Sequence, residues 1–462
     1  MKLKKIVGVL AAIGIAAPGV ALATNGMLME GYGPIATGMG GASMAYDNGA
    51  GGMANNPATI GLMANGTSRL DVAIGGLHPD ITSTCTTAPC AGAKAKSGGD
   101  AYYMPAAGWV KKDGKLAYGV GVFAQGGMGT EYGTSTWVSG GTGLPSRSEV
   151  GVGSLIVPIA YDVTPDLNIA GSLDFVWAGM DLQMAMSAAQ MGALAAGGNL
   201  TGAPMATLGA FMGGANNVGY FDFSNSDDFS GRAHSTGWAG KLGMTYKVNK
   251  QMTIGATYHS QTSLNDMEAD GAQMRMIDNS GSMGPAGTTY TLTGKVKIVD
   301  FQFPETFGFG VAFQANDKLM IAADYKRIGW EKVMKNMHMT FASSDMGGVT
   351  MDMKLPQNWK DQDVFQLGVA YKATDALTLR AGVNISDNPV PEAYVNPLFP
   401  ATIKEHYTLG AGYAFNKVSE VNASYSYAPK VTVTSPAVAG VSNGYSIEHA
   451  QNNWQLMYSH RF

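Results

Sequence analysis

The chain has 462 residues and a formal net charge of −4 at pH 7, a charge too small to suggest a nucleic-acid partner. Only 14% of its residues are charged, well below the ~25% typical of soluble domains, while glycine is abundant and tyrosine outnumbers phenylalanine. An ordinary soluble fold is therefore disfavoured.

The N-terminus has the pattern of a secretory signal peptide. Three lysines among the first five residues precede an apolar stretch at 6–20, and the small-residue sequence Ala-Leu-Ala at 21–23 forms a cleavage site. We expect residues 1–23 to be removed, so that the mature chain begins near Thr24. The alternative is an N-terminal membrane anchor, although glycines and Pro18 interrupt a stretch that is already short for a spanning helix.

The pattern after Thr24 favours an all-β fold. No later segment offers the ~18 uninterrupted apolar residues of a membrane helix. An exported chain without such a helix can cross a membrane as a closed β-barrel, in which neighbouring strands satisfy every backbone hydrogen-bonding group. Apolar residues alternate with small or polar ones at 365–371, 377–385 and 407–415, and aromatic residues near the strand ends fit the girdles at the two membrane interfaces.

Residues 24–66 precede the first predicted strand and are rich in glycine, without sustained alternation. A wide barrel leaves a lumen that side chains alone do not fill, and we expect this segment to plug it as a hatch. A disordered periplasmic tail is the alternative, because a glycine-rich composition also fits disorder. Asn56, Pro57 and Ala58 predict a rigid turn that gates passage, since proline fixes one backbone angle and asparagine can bond nearby backbone groups.

Cys85 and Cys90 are the only cysteines, and export would place them in an oxidising compartment. We expect a disulfide between them that closes a local loop. Zinc binding fits poorly, because a site usually needs four ligands and only His78 is close in sequence. No metal or other cofactor is predicted.

Short polar turns alternate with long loops along the rest of the chain. The short turns lie at 111–114, 162–166, 247–250, 315–318, 373–375 and 416–417. The long loops lie near 78–100, 126–147, 183–228, 264–288, 331–362, 387–402 and 432–450. This asymmetry is typical of bacterial outer-membrane barrels. Six turns and seven loops predict a fourteen-stranded antiparallel barrel within 67–462, with both ends of the mature chain on the periplasmic side of a Gram-negative outer membrane.

The last predicted strand carries Trp454, Leu456, Tyr458, His460 and Phe462 on one face. A terminal aromatic strand of this kind resembles the signal read by the outer-membrane barrel assembly machinery, although His460 departs mildly from the usual pattern. We therefore expect that machinery as a partner during biogenesis. Outer-membrane lipids and lipopolysaccharide would surround the mature barrel, which we expect to be a monomer.

A series of short motifs runs in order along the mature chain. The first are Thr-Asn-Gly at 24–26, Gly-Tyr-Gly-Pro at 31–34, Gly-Met-Gly-Gly-Ala at 38–42 and Asn-Pro-Ala at 56–58. Others follow at 303–306, 325–330, 358–361, 386–391 and 413–417. Each motif is weak alone, but the ordered set resembles the FadL family of outer-membrane transport porins for long-chain fatty acids, with TodX-type relatives that admit aromatic hydrocarbons.

This resemblance implies a barrel plugged by the hatch, ligand uptake by extracellular loops, and an inward kink in the third strand. The kink would open a hole in the wall, through which ligand leaves sideways into the outer leaflet. The third strand runs from Leu116 toward Gly126, Gly127 and Gly129, and a glycine cluster inside a strand permits a bulge or break. These glycines are the candidates for the kink; an ordinary strand end entering the second loop is the alternative.

The loop at 183–228 carries unusually many apolar side chains, and a large exposed apolar patch usually marks binding. Methionine is flexible and polarizable, so it adapts to varied apolar shapes. Residues 187–196 could form a short helix. The resemblance implies a hydrophobic capture groove, and its candidates are Met184, Met186, Met191, Leu194, Met205, Leu208, Phe211 and Met212. Packing against neighbouring loops is the alternative.

Catalysis has little support in the sequence. Residues 440–444 match the Gly-x-Ser-x-Gly pattern, but they lie in a predicted loop without the strand–turn–helix context that the pattern requires. No catalytic residue is therefore assigned. Asp266, Glu268 and Asp270 form an acidic loop cluster, which is either simply solvated or bridged by cations to lipopolysaccharide.

The leading hypothesis is passive uptake of hydrophobic small molecules, either long-chain fatty acids or hydrocarbons. A general porin for hydrophilic solutes would have no plug and a charged constriction, and a structural or adhesion barrel would stay closed. A fatty-acid carrier benefits from a buried Lys or Arg beside the carboxylate. Arg380 and Lys335 are possible candidates, so the choice between acid and neutral ligand stays open.

Overall fold

The computed structural model of the chain describes residues 25–202, 205–227 and 231–462. The predicted signal peptide and Thr24 lie outside these ranges. Within them, no helix has both the length and the hydrophobicity that a helical membrane crossing requires. The described residues form one antiparallel sheet of 22 strands, with short α-helices in the N-terminal part and in the loops.

The strands are numbered in chain order. The first eleven are β1 Ser68–Cys85, β2 Lys94–Lys96, β3 Tyr102–Asp113, β4 Leu116–Tyr132, β5 Ser146–Asp162, β6 Leu167–Ser187, β7 Leu200–Thr201, β8 Val218–Asp222, β9 Ala233–Lys247, β10 Met252–His259 and β11 Ser263–Leu264. The others are β12 Met267–Asp278, β13 Thr288–Val299, β14 Thr306–Asn316, β15 Leu319–Ile328, β16 Asn336–Ser343, β17 Thr350–Pro356, β18 Gln362–Lys372, β19 Leu377–Ser386, β20 Glu405–Ala414, β21 Ser419–Val438 and β22 Ser442–Arg461. The α-helices are α1 Pro34–Thr37, α2 Gly52–Asn55, α3 Ala188–Ala196, α4 Met205–Gly213 and α5 Trp330–Val333.

The last strand closes the sheet into a barrel. β22 pairs with β21 on one side and with β1 on the other, from Arg69 opposite Arg461 to Cys85 opposite Tyr445. This seam joins the first and last strands of the sheet, so the ring has no free end, as a barrel in a lipid membrane requires. A short turn joins two strands at each of the six predicted positions. We call that end of the barrel the short-turn end and the other the long-loop end.

The prediction of fourteen strands is wrong. The closed ring contains sixteen strands, and six more, β2, β7, β11, β13, β16 and β17, lie outside it. The unexpected members are β8 and β12, which pair with each other. β8 also pairs with β6, and β12 also pairs with β9. They lie at 218–222 and 267–278, within the predicted long loops. The prediction missed them because no short polar turn borders either strand. β6 and β9 also pair directly, so the ring can be followed without β8 and β12.

The two faces of the sheet differ as they do in a membrane barrel. Along β6, Ile169 and Leu173 are 47% and 58% exposed, whereas their neighbours Asn168 and Asp174 are buried. The same alternation exposes Leu242 in β9, Phe365 in β18 and Leu409 in β20. A band of exposed apolar side chains is unfavourable in water and stable in hydrocarbon. Because side chains alternate with period 2, a slip of one residue would exchange the two faces.

Residues 25–66, the N-terminal segment, pack against the buried face of the sheet. The segment contains α1, α2 and two 3₁₀ helices, Gly49–Gly51 and Pro57–Leu62, and nearly all of its residues are buried. The backbone oxygen of Glu30 accepts from Gln366 Nε2 of β18 (2.7 Å), and the Gly40 N–H donates to Thr408 Oγ1 of β20 (3.0 Å). Such bonds satisfy backbone groups that short helices leave open.

The loop between β1 and β2 packs on the β21–β22 hairpin. Cys85 and Cys90 are bonded to each other across this loop. The Thr86 N–H donates to the backbone oxygen of Gly444 (3.1 Å), and Thr87 Oγ1 donates to that of Asn443 (2.5 Å). The loop is therefore tied both to itself and to the neighbouring hairpin.

We predict that Cys85 and Cys90 form a disulfide in the exported protein, because they lie close in sequence and export exposes them to an oxidising compartment. Alkylation of the denatured protein without reductant should leave both unlabelled in peptide mass spectrometry. Reduction before alkylation is the control and should label both. Two labelled thiols in the unreduced sample would contradict the prediction.

Candidate functional site

The ladder between β3 and β4 ends partway along both strands. The two strands pair from the short turn up to Ala107 opposite Val122, and no further. Beyond that point, Tyr102–Ala106 pair with β1 alone among the strands, and Phe123–Tyr132 with β5 alone. The barrel wall is therefore open between β3 and β4 at this level.

β4 leaves the line of the wall at a bulge. Its register against β5 shifts at Gln125, which has no opposite residue. Just past the bulge, Gly126 forms a bridge with Leu28, and the Gly127 N–H donates to the backbone oxygen of Met27 (2.9 Å). A bulge bends and twists its strand locally, and this one brings β4 against the N-terminal segment.

The glycines of β4 allow this close approach. A Cβ at Gly126 would collide with the backbone oxygen of Met27, and one at Gly129 would lie 2.8 Å from the backbone oxygen of Ser148. All three glycines singled out in the sequence lie within β4, which continues to Tyr132. They are therefore not at an ordinary strand end.

Pro105 lies on the other side of the opening. It belongs to the stretch of β3 that pairs with β1, where it stands opposite Ile74, and has no partner on β4. Proline has no N–H and within sheets is confined to unpaired edges, strand starts and bulges. Pro105 was not among the predicted site residues, although a proline inside a strand is a readable sign of an unpaired edge.

An apolar cavity, the lateral cavity, lies at this opening. Its lining includes Met29, Tyr32, Met104, Ala106, Phe123 and Ala124. Among the described residues that line it, only Asp71 is charged, and that carboxylate is paired with Arg69 (Nε–Oδ1 2.7 Å). An uncharged, apolar molecule is the ligand that such a lining suits.

Two further apolar cavities lie on the long-loop side of the bulge. The upper cavity is lined by Met27, Met128, Met180, Met334, Met337 and Phe399, among others. The outer cavity is lined by Phe221, Phe223, Met339, Phe341, Met351 and Met353, among others. Because Met27 faces the upper cavity and Met29 the lateral cavity, residues 27–29 stand between the two.

The apolar loop residues are mostly buried. The predicted short helix is present as α3, and Ser187 caps it by accepting from the Gln190 N–H. Six of the candidates have buried side chains: Met184, Met186, Met191, Leu194, Leu208 and Phe211. Met212 is half-buried, and the side chain of Met205 lies outside the described residues. The expected exposed patch is thus absent from these six, because the loop folds back onto a methionine-rich core that also contains Met27 and Met128.

Asn56, Pro57 and Ala58 form a buried turn between the N-terminal segment and the wall. Asn56 Oδ1 accepts from the Ala58 N–H (3.1 Å) and so caps the 3₁₀ helix that follows. Its Nδ2 donates to the backbone oxygens of Met44 (2.7 Å) and Met244 (3.1 Å), and Met244 belongs to β9. One side chain therefore joins two parts of the segment to the barrel.

The three apolar cavities have few basic side chains: among the described residues that line them, only His338, at the upper cavity, is basic. No Lys or Arg is among the described residues that line them. Arg380 donates to Asn422 Oδ1 (3.0 Å), and Lys335 is exposed at the surface. Neither candidate for carboxylate recognition therefore reaches a cavity wall.

The acidic loop cluster is partly neutralised in the β12–β13 hairpin. Glu268 contacts both Lys295 and Lys297. Hydrogen bonds from these two lysines lower the pKa of Glu268 to about 2. This carboxylate is therefore already paired within the loop, which weakens the idea that it bridges to lipopolysaccharide through a cation.

Two solved structures that this chain resembles are those of toluene transporters. The toluene transporter TodX of Pseudomonas putida is 31% identical, the match covers 94% of this chain and 99% of TodX, and the TM-score is 0.82. The toluene transporter TbuX of Ralstonia pickettii is 30% identical, with 94% and 99% coverage and a TM-score of 0.75.

A curated relative matches over a shorter stretch. Outer membrane protein P1 of Haemophilus influenzae is 28% identical over 193 residues, which is 41% of this chain and 37% of P1. The chain spans 30% to 42% of the length of the curated relatives that it matches. A family model described as outer membrane protein transport protein (OMPP1/FadL/TodX) matches residues 10–458. Because that match covers nearly all of the chain, this protein belongs to the OMPP1/FadL/TodX family of outer-membrane transport proteins.

Proposed function

We propose that this protein takes up uncharged hydrophobic molecules across the outer membrane by passive diffusion, and that it releases them sideways between β3 and β4. The observation that carries the proposal is the lateral cavity, which is apolar and lies where β3 and β4 no longer pair with each other. The similarity to two toluene transporters supports the same substrate class.

The route begins at the long-loop end. Ligand is captured among the long loops, where α3 and α4 cover the methionine-rich core, and it moves through the outer and upper cavities to the lateral cavity. In this proposal, the long loops lie outside the cell, and the short turns and both ends of the mature chain lie in the periplasm. The protein acts as a monomer. Assembly machinery would recognise the aromatic last strand, and the exposed apolar band would contact outer-membrane lipids and lipopolysaccharide.

The N-terminal segment acts as the hatch in this proposal. Residues 27–29 separate the upper cavity from the lateral cavity, so ligand passes only when they move. The turn at Asn56–Ala58 sets how firmly the segment is held. A plug of this kind argues against a general porin, which needs an open aqueous path, and the break in the wall argues against a closed structural barrel.

Sideways release has a physical reason. A hydrophobic molecule in acyl chains is stabilised by ~25 cal/mol for each Å² of apolar surface removed from water, so the membrane is a better destination than the periplasm. The absence of cations among the described cavity-lining residues favours an uncharged ligand, because a carboxylate without a partner in an apolar site is costly.

We predict that replacing Gly126 and Gly127 together by valine abolishes most uptake of a hydrophobic probe. A side chain at Gly126 collides with Met27, and β-branched residues favour a regular pleated strand, so β4 should straighten and the opening should close. Uptake of radiolabelled toluene by cells with equal amounts of assembled barrel is the measurement. Gly133→Val is the matched control, because a Cβ there meets open space. Wild-type uptake by the assembled double variant would refute the lateral route.

The turn of the N-terminal segment gives a second prediction. Asn56→Ala removes a helix cap, which typically costs about 0.5–2 kcal/mol, and leaves the Met44 and Met244 oxygens without this donor. We expect a folded barrel, judged by its heat-dependent mobility on gels, with uptake changed at least about twofold because the hatch is held less firmly. Asn65→Ala, an exposed position in the same segment, should leave uptake unchanged. Equal uptake by both variants would count against gating by this turn.

Substrate class is the third test. Proteoliposomes should take up uncharged toluene at least about tenfold faster than dodecanoate at pH 8, because no described cation lines a cavity to pair with the carboxylate. Mass spectrometry of apolar compounds that co-purify in mild detergent should find neutral molecules. Comparable uptake of dodecanoate, or a co-purified fatty acid as the main species, would contradict the assignment to neutral ligands.

A further inference from the structure

The bulge in β4 leaves a backbone oxygen that no strand can satisfy. Gln125 has no opposite residue on β5, and the ladder to β3 has already ended at Val122. The Tyr32 hydroxyl donates to this oxygen at 2.9 Å. Tyr32 is thus a protein group that takes the place of a missing strand partner at the bulge itself.

Asn55 holds the backbone of Tyr32 on both sides. Its backbone N–H donates to Asn55 Oδ1 (3.0 Å). In return, Asn55 Nδ2 donates to the backbone oxygens of Tyr32 (2.9 Å) and Gly51 (3.0 Å). Asn55 is the last residue of α2, directly before the turn at Asn56. The hydroxyl therefore lies at the end of a side chain whose backbone is held by Asn55, and Tyr32 is part of the lining of the lateral cavity.

The alternative for β4 is to continue its ladder with β3. In the bent strand, the oxygen of the buried Gln125 would have no partner without the Tyr32 hydroxyl, and an unsatisfied oxygen is costly to bury. In a straight strand, β3 could supply the partner, and the opening would close. A hydroxyl that bonds the Gln125 oxygen only in the bent form therefore stabilises the bent form of β4, and with it the open wall, relative to the straight form.

We propose that Tyr32 is a positioning residue that keeps the wall open by bonding the Gln125 oxygen, and that Asn55 holds Tyr32 for this purpose. The inference rests on the proposed lateral exit for its effect on transport, but the geometry that it claims can be measured without transport. Tyr32 is therefore expected to act on the shape of β4 and only through it on uptake.

The test uses Tyr32→Phe, which removes only the hydroxyl, and a cysteine pair that reports the gap. Continuing the register from Ala107 opposite Val122 would place residue 105 opposite residue 124. Pro105→Cys and Ala124→Cys, with Cys85 and Cys90 changed to serine, can form a disulfide only when their Cα atoms approach within about 7 Å. Tyr46→Phe is the matched control, because its hydroxyl bonds Ala42 within the segment and not the wall.

In full-length barrels, we expect Tyr32→Phe to form the 105–124 disulfide about tenfold faster than the cysteine-pair parent, and Tyr46→Phe to match the parent. Without the cysteine pair, Tyr32→Phe should lower toluene uptake by a similar factor. Asn55→Ala should repeat both effects and add little to Tyr32→Phe, since both act through one hydrogen bond.

The outcomes separate the two claims. An unchanged disulfide rate in both Tyr32→Phe and Asn55→Ala would overturn the role of Tyr32. If Tyr32→Phe forms the disulfide faster, the role of Tyr32 is supported. If barrels that carry the 105–124 disulfide still take up toluene at the wild-type rate, the lateral exit is overturned instead.

Discussion

A strand that crosses a membrane must have its backbone N–H and C=O groups hydrogen-bonded, because hydrocarbon offers no partner for them. Around most of this barrel the neighbouring strands meet that need, and the β1–β22 seam completes the circle. β3 and β4 depart from it over part of their length. The departure is sustained because Met27 accepts from Gly127, Tyr32 donates to the bulge, and Pro105 brings no N–H that would need a partner.

The N-terminal segment can replace strand partners only because it is itself fixed. Asp71 Oδ2 accepts from the Ala50 N–H (2.8 Å) while its other oxygen binds Arg69. Elsewhere in the ring, Asp324 Oδ2 accepts from the N–H groups of Ser43 (2.5 Å) and Met44 (3.0 Å). Buried charges often add little net stability, but a charge that loses its partner is costly. These contacts therefore select one position of the segment, and the opening in β4 depends on anchors far from it.

The sequence predicted what depends on local pattern. Alternation of period 2 and six short turns led to the barrel, and the cluster at Gly126–Gly129 marked the bulge, because both signals are carried by neighbouring residues. The strand count was wrong, because β8 and β12 lie in loops without short polar turns. Composition showed that the loop at 183–228 is apolar but not that it folds inward. Tyr32 and Gln125 are 93 positions apart, so no local pattern could join them.

Methionine is the most frequent residue in the cavity walls: Met27, Met128, Met180, Met334 and Met337 line the upper cavity, and Met339, Met351 and Met353 line the outer one. Thioethers adapt to many ligand shapes, but they are also readily oxidised. Each sulfoxide would put a strong dipole where an apolar surface had been. Oxidation of these side chains would thus make the cavity walls polar with the strands unchanged, and reduction of the sulfoxides would restore the apolar walls.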